Sequence, residues 1–175
     1  MLKLLSVRKL RTLNKNGPQL NTNLLFSIIS ISAVDFGTRY SGFAYANTGN
    51  LEIITNDTWP EVAGVFKTNT VLEYDQNLKN VVAWGLPALA QKPSRRTERN
   101  SPVELFKLHL GNIPEKEKPV LPKGLNYKKV ITDYLTELVS VARCWPNVNF
   151  MNQVLLIMAV PAEFSEQANA TIREC

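Results

Sequence analysis

The sequence contains few of the residues that build metal and redox sites. Among its 175 residues are one histidine, His109, and two cysteines, Cys144 and Cys175. The cysteines are widely spaced and form no metal-binding or redox pattern, so we expect both to be reduced thiols of an intracellular protein. Because His109 has no second ligand near it in the sequence, we expect a packed or exposed side chain rather than a metal-binding or catalytic one.

Long apolar runs are also lacking, as are acidic residues at the start of the chain. No stretch of about 18 apolar residues occurs, so we expect no membrane span. Five basic residues precede the first acidic residue, Asp35; they are Lys3, Arg8, Lys9, Arg11 and Lys15. From Asp35 onward, 15 basic residues (20 minus 5) face 15 acidic ones. The net charge of +5 therefore reflects the first segment, and we expect no nucleic-acid partner.

This first segment has two interpretations. Basic and apolar residues without acids are the composition of a mitochondrial transit peptide. Alternatively, residues 1–28 are an irregular basic extension with no targeting role. We favour the second interpretation and expect a cytoplasmic protein. Residues 29–175 are then expected to form one domain, because their number is sufficient for a hydrophobic core.

The hydrophobic pattern after this segment predicts a mixed α/β domain. Three strands are predicted, at about 24–35, 41–46 and 51–55, and a hairpin turn at 47–50. A helix with one apolar face is predicted over 127–142, capped by Asn126, and an unbroken apolar strand follows at 153–160. Ser165 is a candidate cap for a second helix. Residues 56–122 contain seven prolines, so they are predicted to be an irregular excursion with a basic loop at 93–99.

The most informative segment is the turn after the first strand. Asp35 comes at the end of that strand, and Gly37 and Thr38 follow in a tight turn. Glycine allows close approach of a ligand, and successive backbone N–H groups form an anion-binding concavity. Thr38 and Ser41 add hydroxyl donors, and the Asp35 carboxylate suits hydrated Mg²⁺. These groups fit the phosphates of a nucleotide, although Asp, Gly and Thr are also ordinary hairpin-turn residues.

Five segments, in order, resemble the actin-like ATPase superfamily. Within it the closer resemblance is to the 70-kDa heat-shock chaperones, in particular their divergent heat-shock 12 branch. It covers about residues 29–175. The segments are DFGTRYSG at 35–42, NDTWP at 56–60, KTNTVLEY at 67–74 with VAWGLPA at 82–88, VELFKLHLG at 103–111, and VPAEFS at 160–165.

The resemblance implies a ribonuclease-H-like fold with the order β-β-β-α-β-α, and ATP with Mg²⁺ as the ligands. It implies that Asp35 holds the water shell of the metal, and that Lys107 approaches the γ-phosphate and positions or polarises the attacking water. It implies that Gly37, Thr38, Arg39 and Tyr40 surround the β- and γ-phosphates through their main-chain N–H groups. Ser41 is a further candidate for binding the nucleotide, through its hydroxyl. Expected partners are ATP or ADP and client or co-chaperone proteins.

The chain also departs from the family pattern. Many family members have Thr or Ala where this chain has Arg39, which either bonds the γ-phosphate, blocks the turn or points to solvent. Lys107 has the alternative interpretation of a surface lysine on a helix. The family domain is about twice as long, so we expect a truncated first lobe with an exposed apolar sheet edge and weak or no ATP affinity. Whether the chain is an ATPase stays open, and the alternative is a non-catalytic remnant that acts as an interaction module, or an incomplete gene product.

Overall fold

The described residues form a mixed α/β structure around one mixed sheet. The computed structural model describes residues 2–6, 11–14, 17–20, 28–90, 100–142 and 149–175. The main path through the sheet has the order β1 (Leu2–Ser6), β13 (Val154–Pro161), β4 (Ser30–Asp35), β5 (Tyr40–Asn47) and β6 (Asn50–Thr55). Strands β4, β5 and β6 are antiparallel neighbours, whereas β13 runs parallel to β4. The predicted mixed α/β class is confirmed.

The three-stranded meander follows the predicted pattern. Along β4, Ser30, Ser32 and Val34 are buried and alternate with more exposed residues, as a strand with one covered face requires. The turn between β5 and β6 is closed by Asn47, whose side-chain oxygen accepts a hydrogen bond from the Gly49 N–H at 2.7 Å. The part of the first predicted strand before residue 28 lies outside the described residues.

The segment predicted to be irregular is built from short strands. Residues Thr58–Trp59 (β7) and Val62–Ala63 (β8) form a hairpin, and Thr68–Asn69 (β9) pairs with β5. A small sheet follows, with Val71–Tyr74 (β10) between Val81–Trp84 (β11) and Val103–Glu104 (β12); helix α1 spans Leu86–Ala90. The prediction of an irregular excursion is therefore wrong for these residues. Strands of two to four residues are too short to show a period. The basic loop at 93–99 lies outside the described residues.

Helix α2 connects the two parallel strands. It spans Tyr127–Ala142 as predicted, and the Asn126 side-chain oxygen caps it by accepting from the Lys129 N–H at 2.8 Å. The short helix α3 (Phe150–Gln153) leads into β13. Helix α4 (Glu166–Glu174) then begins at the predicted cap Ser165, whose hydroxyl accepts from the Ala168 N–H at 3.1 Å. From β4 to α4 the chain runs through β4, β5 and β6, then the short strands β7 to β12 with α1, and then α2, α3, β13 and α4. The predicted order β-β-β-α-β-α therefore describes the longer elements only.

An aromatic cluster joins α2 to the sheet. The Tyr134 ring lies 5.9 Å from the rings of Phe36 and Trp84 and 5.6 Å from that of Phe106, measured between centroids. Such pairs contribute about 0.5–1.5 kcal/mol each beyond the area that they bury. Phe36 lies in the turn after β4, so the core packs directly against the back of that turn.

The beginning of the chain differs from the prediction of an irregular extension. Strand β1 pairs antiparallel with the outer edge of β13, and residues Arg11–Asn14 (β2) pair with Gly17–Leu20 (β3). The predicted exposed sheet edge is therefore wrong at β13, because β1 satisfies its backbone groups. Among the helices of the described part of the chain, none has the length and apolar character needed to cross a membrane. The compartment stays a prediction.

The buried face of α2 is expected to carry much of the stability. Leu138 is fully buried, so Leu138→Ala removes apolar contacts and leaves a cavity. The free energy of unfolding, measured by urea denaturation, is expected to fall by about 2–5 kcal/mol. The control is Val120→Ala at a side chain that is 97% exposed, where a change within about 0.5 kcal/mol is expected. Equal effects of the two variants would contradict this packing.

Candidate functional site

The turn between β4 and β5 is unusually tight. Asp35 ends β4 and Tyr40 begins β5, so the chain reverses over residues 36–39. A Cβ atom placed on Gly37 would lie 2.0 Å from the carbonyl oxygen of Tyr40. No side-chain carbon fits at that distance, so this position requires glycine. The turn itself therefore needs Gly37, whatever ligand approaches it.

A closed ring of hydrogen bonds holds this turn. The Gly37 N–H donates to the Ser41 hydroxyl at 3.2 Å, and the Ser41 and Thr70 hydroxyl oxygens lie 2.8 Å apart. The Thr70 hydroxyl donates to the Gly37 carbonyl at 3.0 Å. Since the Thr70 proton is used there, the Ser41 hydroxyl donates to Thr70. Ser41, predicted to be a hydroxyl donor to a ligand, is fully buried. Its hydroxyl stabilises the turn from the core side.

Helix α2 supports this ring through Tyr134. The Tyr134 hydroxyl donates to the backbone carbonyl of Asn69 at 3.2 Å, and Asn69 directly precedes Thr70. Burial raises the pKa of Tyr134 to about 12, although the nearby hydroxyls of Ser41 and Thr70 oppose the shift. The phenol therefore stays protonated near neutral pH and remains a donor. The conformation of the turn thus depends on residues that are distant in the sequence.

Lys107 reaches the same turn from the segment that directly follows the small sheet. It lies in a 3₁₀ helix, Phe106–Leu110, and its side chain is buried. Its ammonium donates a hydrogen bond to the Phe36 carbonyl and lies 5.2 Å from the centroid of the Phe36 ring. Leu105, directly before this helix, has φ of 58°, a conformation that costs a non-glycine residue about 1–2 kcal/mol. The alternative interpretation of Lys107 as a surface lysine is wrong.

The ammonium of Lys107 lies in an environment that disfavours its charge. Burial lowers its pKa, and the carboxylates of Asp35 and Glu163 partly oppose this effect. A lysine ammonium carries three donors, so the bond to the Phe36 carbonyl leaves two for another acceptor. The buried cation is therefore equipped to bind an anion at the turn.

A cavity of about 490 Å³ opens beside Lys107. Its lining includes Thr38, Lys107, Glu163 and Phe164. Asp35 is level with Ala159 in the parallel pair β4–β13, so the cavity lies where these two strands end. In open α/β sheets, ligands bind outside the carboxyl ends of parallel strands, at the point where the chain order changes direction. Here the parallel neighbour of β4 is β13, and β5 on its other side is antiparallel, so the rule applies to the carboxyl ends of β4 and β13.

The Asp35 carboxylate already has a cationic partner. The Lys67 ammonium lies 2.7 Å from its Oδ2, and both side chains are about half exposed. Lys67 directly precedes β9, which pairs with the first residues of β5. The part of the chain that the structure describes contains no group of three or more His, Cys, Asp or Glu side chains able to hold a metal. A single carboxylate fits Mg²⁺ when phosphates and waters supply the other ligands, and here only if Lys67 releases it.

The structure brings most of the predicted site residues together. Asp35, Gly37, Thr38 and Lys107 meet at the turn or its cavity, whereas Arg39 and Tyr40 are exposed on its outer side. His109 packs as predicted: its ring stacks on that of Tyr127, and its Nε2 lies 3.0 Å from the Pro119 carbonyl.

Three residues of the site were not identified from the sequence. They are Lys67, Thr70 and Glu163. Thr70 precedes a buried strand, and this position is only a weak sequence signal for a site residue. It lies 33 residues along the chain from Gly37, to whose carbonyl it donates. Lys67 and Glu163 are charged residues in short loops and carry no pattern of their own. Only strand pairing brings these three residues to the turn.

Substitution of Gly37 tests the tightness of the turn. Gly37→Ala is expected to lower the free energy of unfolding by about 1–3 kcal/mol, because the new Cβ displaces the Tyr40 carbonyl. The control is Gly49→Ala in the β5–β6 turn, where the nearest atom is a side-chain oxygen at 3.3 Å. Urea denaturation measures both. Similar losses in the two variants would show that the turn at Gly37 is looser than described.

The depressed pKa of Lys107 predicts a pH dependence of stability. Because the folded pKa lies below the ordinary 10.5, the unfolded state binds more protons between the two values. The free energy of unfolding of the wild type, relative to Lys107→Met, is therefore expected to rise as the pH increases through that window. Urea denaturation of both proteins from neutral pH to about pH 10.5 measures the difference. A difference that is flat or falls with pH would contradict the burial of this ammonium.

Comparisons with known proteins add no relative to these observations. No family model matches the chain, and no curated protein matches it. The resemblance to the 70-kDa heat-shock chaperones therefore rests on the sequence motifs in residues 29–175. What it implies for fold and function is a proposal.

Proposed function

We propose that the turn from Asp35 to Ser41 binds the phosphates of ATP, and that the chain is a heat-shock-70-like member of the actin-like ATPases. One observation carries the proposal. Thr38 of the turn and the buried Lys107 line one cavity, at the carboxyl ends of the parallel strands β4 and β13. A backbone turn and a desolvated cation facing one cavity are what an anionic group needs for binding.

The strand order supports the ribonuclease-H-like fold within this proposal. An antiparallel meander, β4–β5–β6, is followed by helix α2 and then by β13, which lies parallel to β4 and beside it. This arrangement gives the order β6-β5-β4-β13 from one side of the sheet. Three antiparallel strands, a helix and a strand parallel to the first agree with the element order that the resemblance implies.

The roles of the turn residues follow from which groups are already engaged. The Gly37 N–H donates to Ser41 within the turn, so we assign the phosphate contacts to the N–H groups of Thr38 and Arg39 and to the Thr38 hydroxyl. The guanidinium of Arg39 is exposed and suits the outer phosphate oxygens. Gly37, Tyr40 and Ser41 then shape the turn, and the side chains of Tyr40 and Ser41 do not contact the ligand.

Lys107 is assigned to the terminal phosphate. Its ammonium is anchored by the Phe36 carbonyl, so its position is fixed before a ligand arrives. Phosphoryl transfer depends mostly on positioning and on charge neutralisation, which a preorganised cation supplies. In the proposed ATPase reaction, Lys107 would position or polarise the attacking water, and Asp35 would hold a water of a Mg²⁺ ion that arrives with the nucleotide.

A second candidate function is an interaction module without catalysis. Strand β6 has exposed isoleucines, Ile53 at 74% and Ile54 at 45%. In the described part of the chain, β6 pairs only with β5, so its outer edge is available to a partner strand. A client or co-chaperone protein that adds a strand there would use this edge. If nucleotide binding is disproved, the interaction module at the edge of β6 becomes the favoured function.

Titration calorimetry with ATP and Mg²⁺ tests the proposed function. The wild type is expected to bind weakly, and the double variant Asp35→Ala, Thr38→Ala is expected to lose at least tenfold in affinity, about 1.4 kcal/mol, because it removes a ligand hydroxyl and the metal's carboxylate. The matched control is Asp57→Ala, Thr58→Ala, which removes the same residue types from two exposed positions at the start of β7. Hydrogen exchange at residues 37–41 with and without ATP detects binding that is too weak for calorimetry. No protection and no heat in the wild type would contradict the proposal.

A further inference from the structure

The ion pair between Lys67 and Asp35 occupies the position that the proposed function gives to a metal ion. The two groups are 2.7 Å apart, and Asp35 stands at the end of β4 beside the phosphate turn. The backbone holds Lys67 in place, because Thr68 next to it pairs with Ser41. Gly42 adds to this constraint: a Cβ there would lie 2.7 Å from the Phe66 carbonyl, so the segment before β9 that carries Lys67 packs closely on β5.

The ion pair with Lys67 changes the electrostatic effect of the Asp35 carboxylate on an approaching nucleotide. A bare Asp35 would repel phosphate oxygens and would need a metal ion to bridge the two negative groups. An ammonium on the carboxylate cancels that charge and retains two further donors. The pair is half exposed, so it is weak enough to open when a divalent cation competes for the carboxylate.

We propose that Lys67 determines how strongly nucleotide binding depends on Mg²⁺: it neutralises Asp35 in place of the metal, so that the phosphates bind without the ion. The inference rests on the proposed nucleotide-binding function and concerns the same site. Mg²⁺ and Lys67 are then alternative partners of one carboxylate. Removing Lys67 makes the metal necessary.

The test measures the ratio of two dissociation constants for ATP, one in EDTA and one in excess Mg²⁺, by following ligand and protein NMR signals. Lys67→Met is expected to raise this ratio about two- to fivefold over the wild type, the range that an exposed ion pair supports. Lys67→Arg keeps the cation and is expected to retain the wild-type ratio. Lys123→Met is the charge control, since Lys123 is exposed in the turn before α2 and its loss changes the net charge equally.

A double-mutant cycle separates this role from a direct contact between Lys67 and the phosphates. If Lys67 acts through Asp35, Lys67→Met has no further effect on the ratio in an Asp35→Asn background. If it contacts phosphate directly, its effect persists in that background, and the inference is overturned. Thermal unfolding of each variant verifies that it is folded, and little change is expected because both side chains are half exposed.

The outcomes for the inference and for the proposed function are distinguishable. ATP binding by the wild type, with the same ratio in Lys67→Met, overturns the inference and leaves the proposed function intact. No ATP binding by any variant, in either condition, overturns the proposed function and the inference together. A raised ratio that disappears in the Asp35→Asn background supports both.

Discussion

The ring of hydrogen bonds among Gly37, Ser41 and Thr70 is the constraint on which the site depends. It holds the backbone after β4 in a turn that only glycine can adopt at position 37, and the hydroxyls of Ser41 and Thr70 are buried within it. The same ring connects the turn to β9 and β10, and through Tyr134 to helix α2. The fold and the site are therefore not separable here: the aromatic core packs against the back of the turn and keeps it rigid.

Charge is distributed around this turn in two different ways. Lys107 is a buried ammonium, anchored on a carbonyl and shielded by aromatic rings, so its position is rigid and its charge is costly. Lys67 is a half-exposed ammonium on a half-exposed carboxylate, so it exchanges partners easily. A fixed cation and an exchangeable one at the same turn suit a ligand that arrives with or without its own counter-ion. The proposed nucleotide phosphates have that property.

Sequence patterns predicted the long regular elements and missed the short ones. Helix α2 and its cap Asn126 were predictable because 16 residues show the apolar face of a helix several times over. The caps at Asn126 and Ser165 depend on neighbouring residues only. The small sheet at residues 71–104 was not predictable from its pattern, because its strands are short and their partners lie far away in the sequence. For the same reason Thr70, Lys67 and Glu163 could not be assigned to the site.

The sequence by itself determined the meander, the helix, the apolar strand β13 and the composition of the turn, since each depends on residues within a few positions of one another. Tertiary structure alone decided what the turn residues do. It buried Ser41, turned the ammonium of Lys107 onto the Phe36 carbonyl, and placed Lys67 on Asp35 across 32 residues of chain. The physical reason is that the partner of a polar group depends on which strands pair, and strand pairing between distant segments leaves no periodic trace in the sequence.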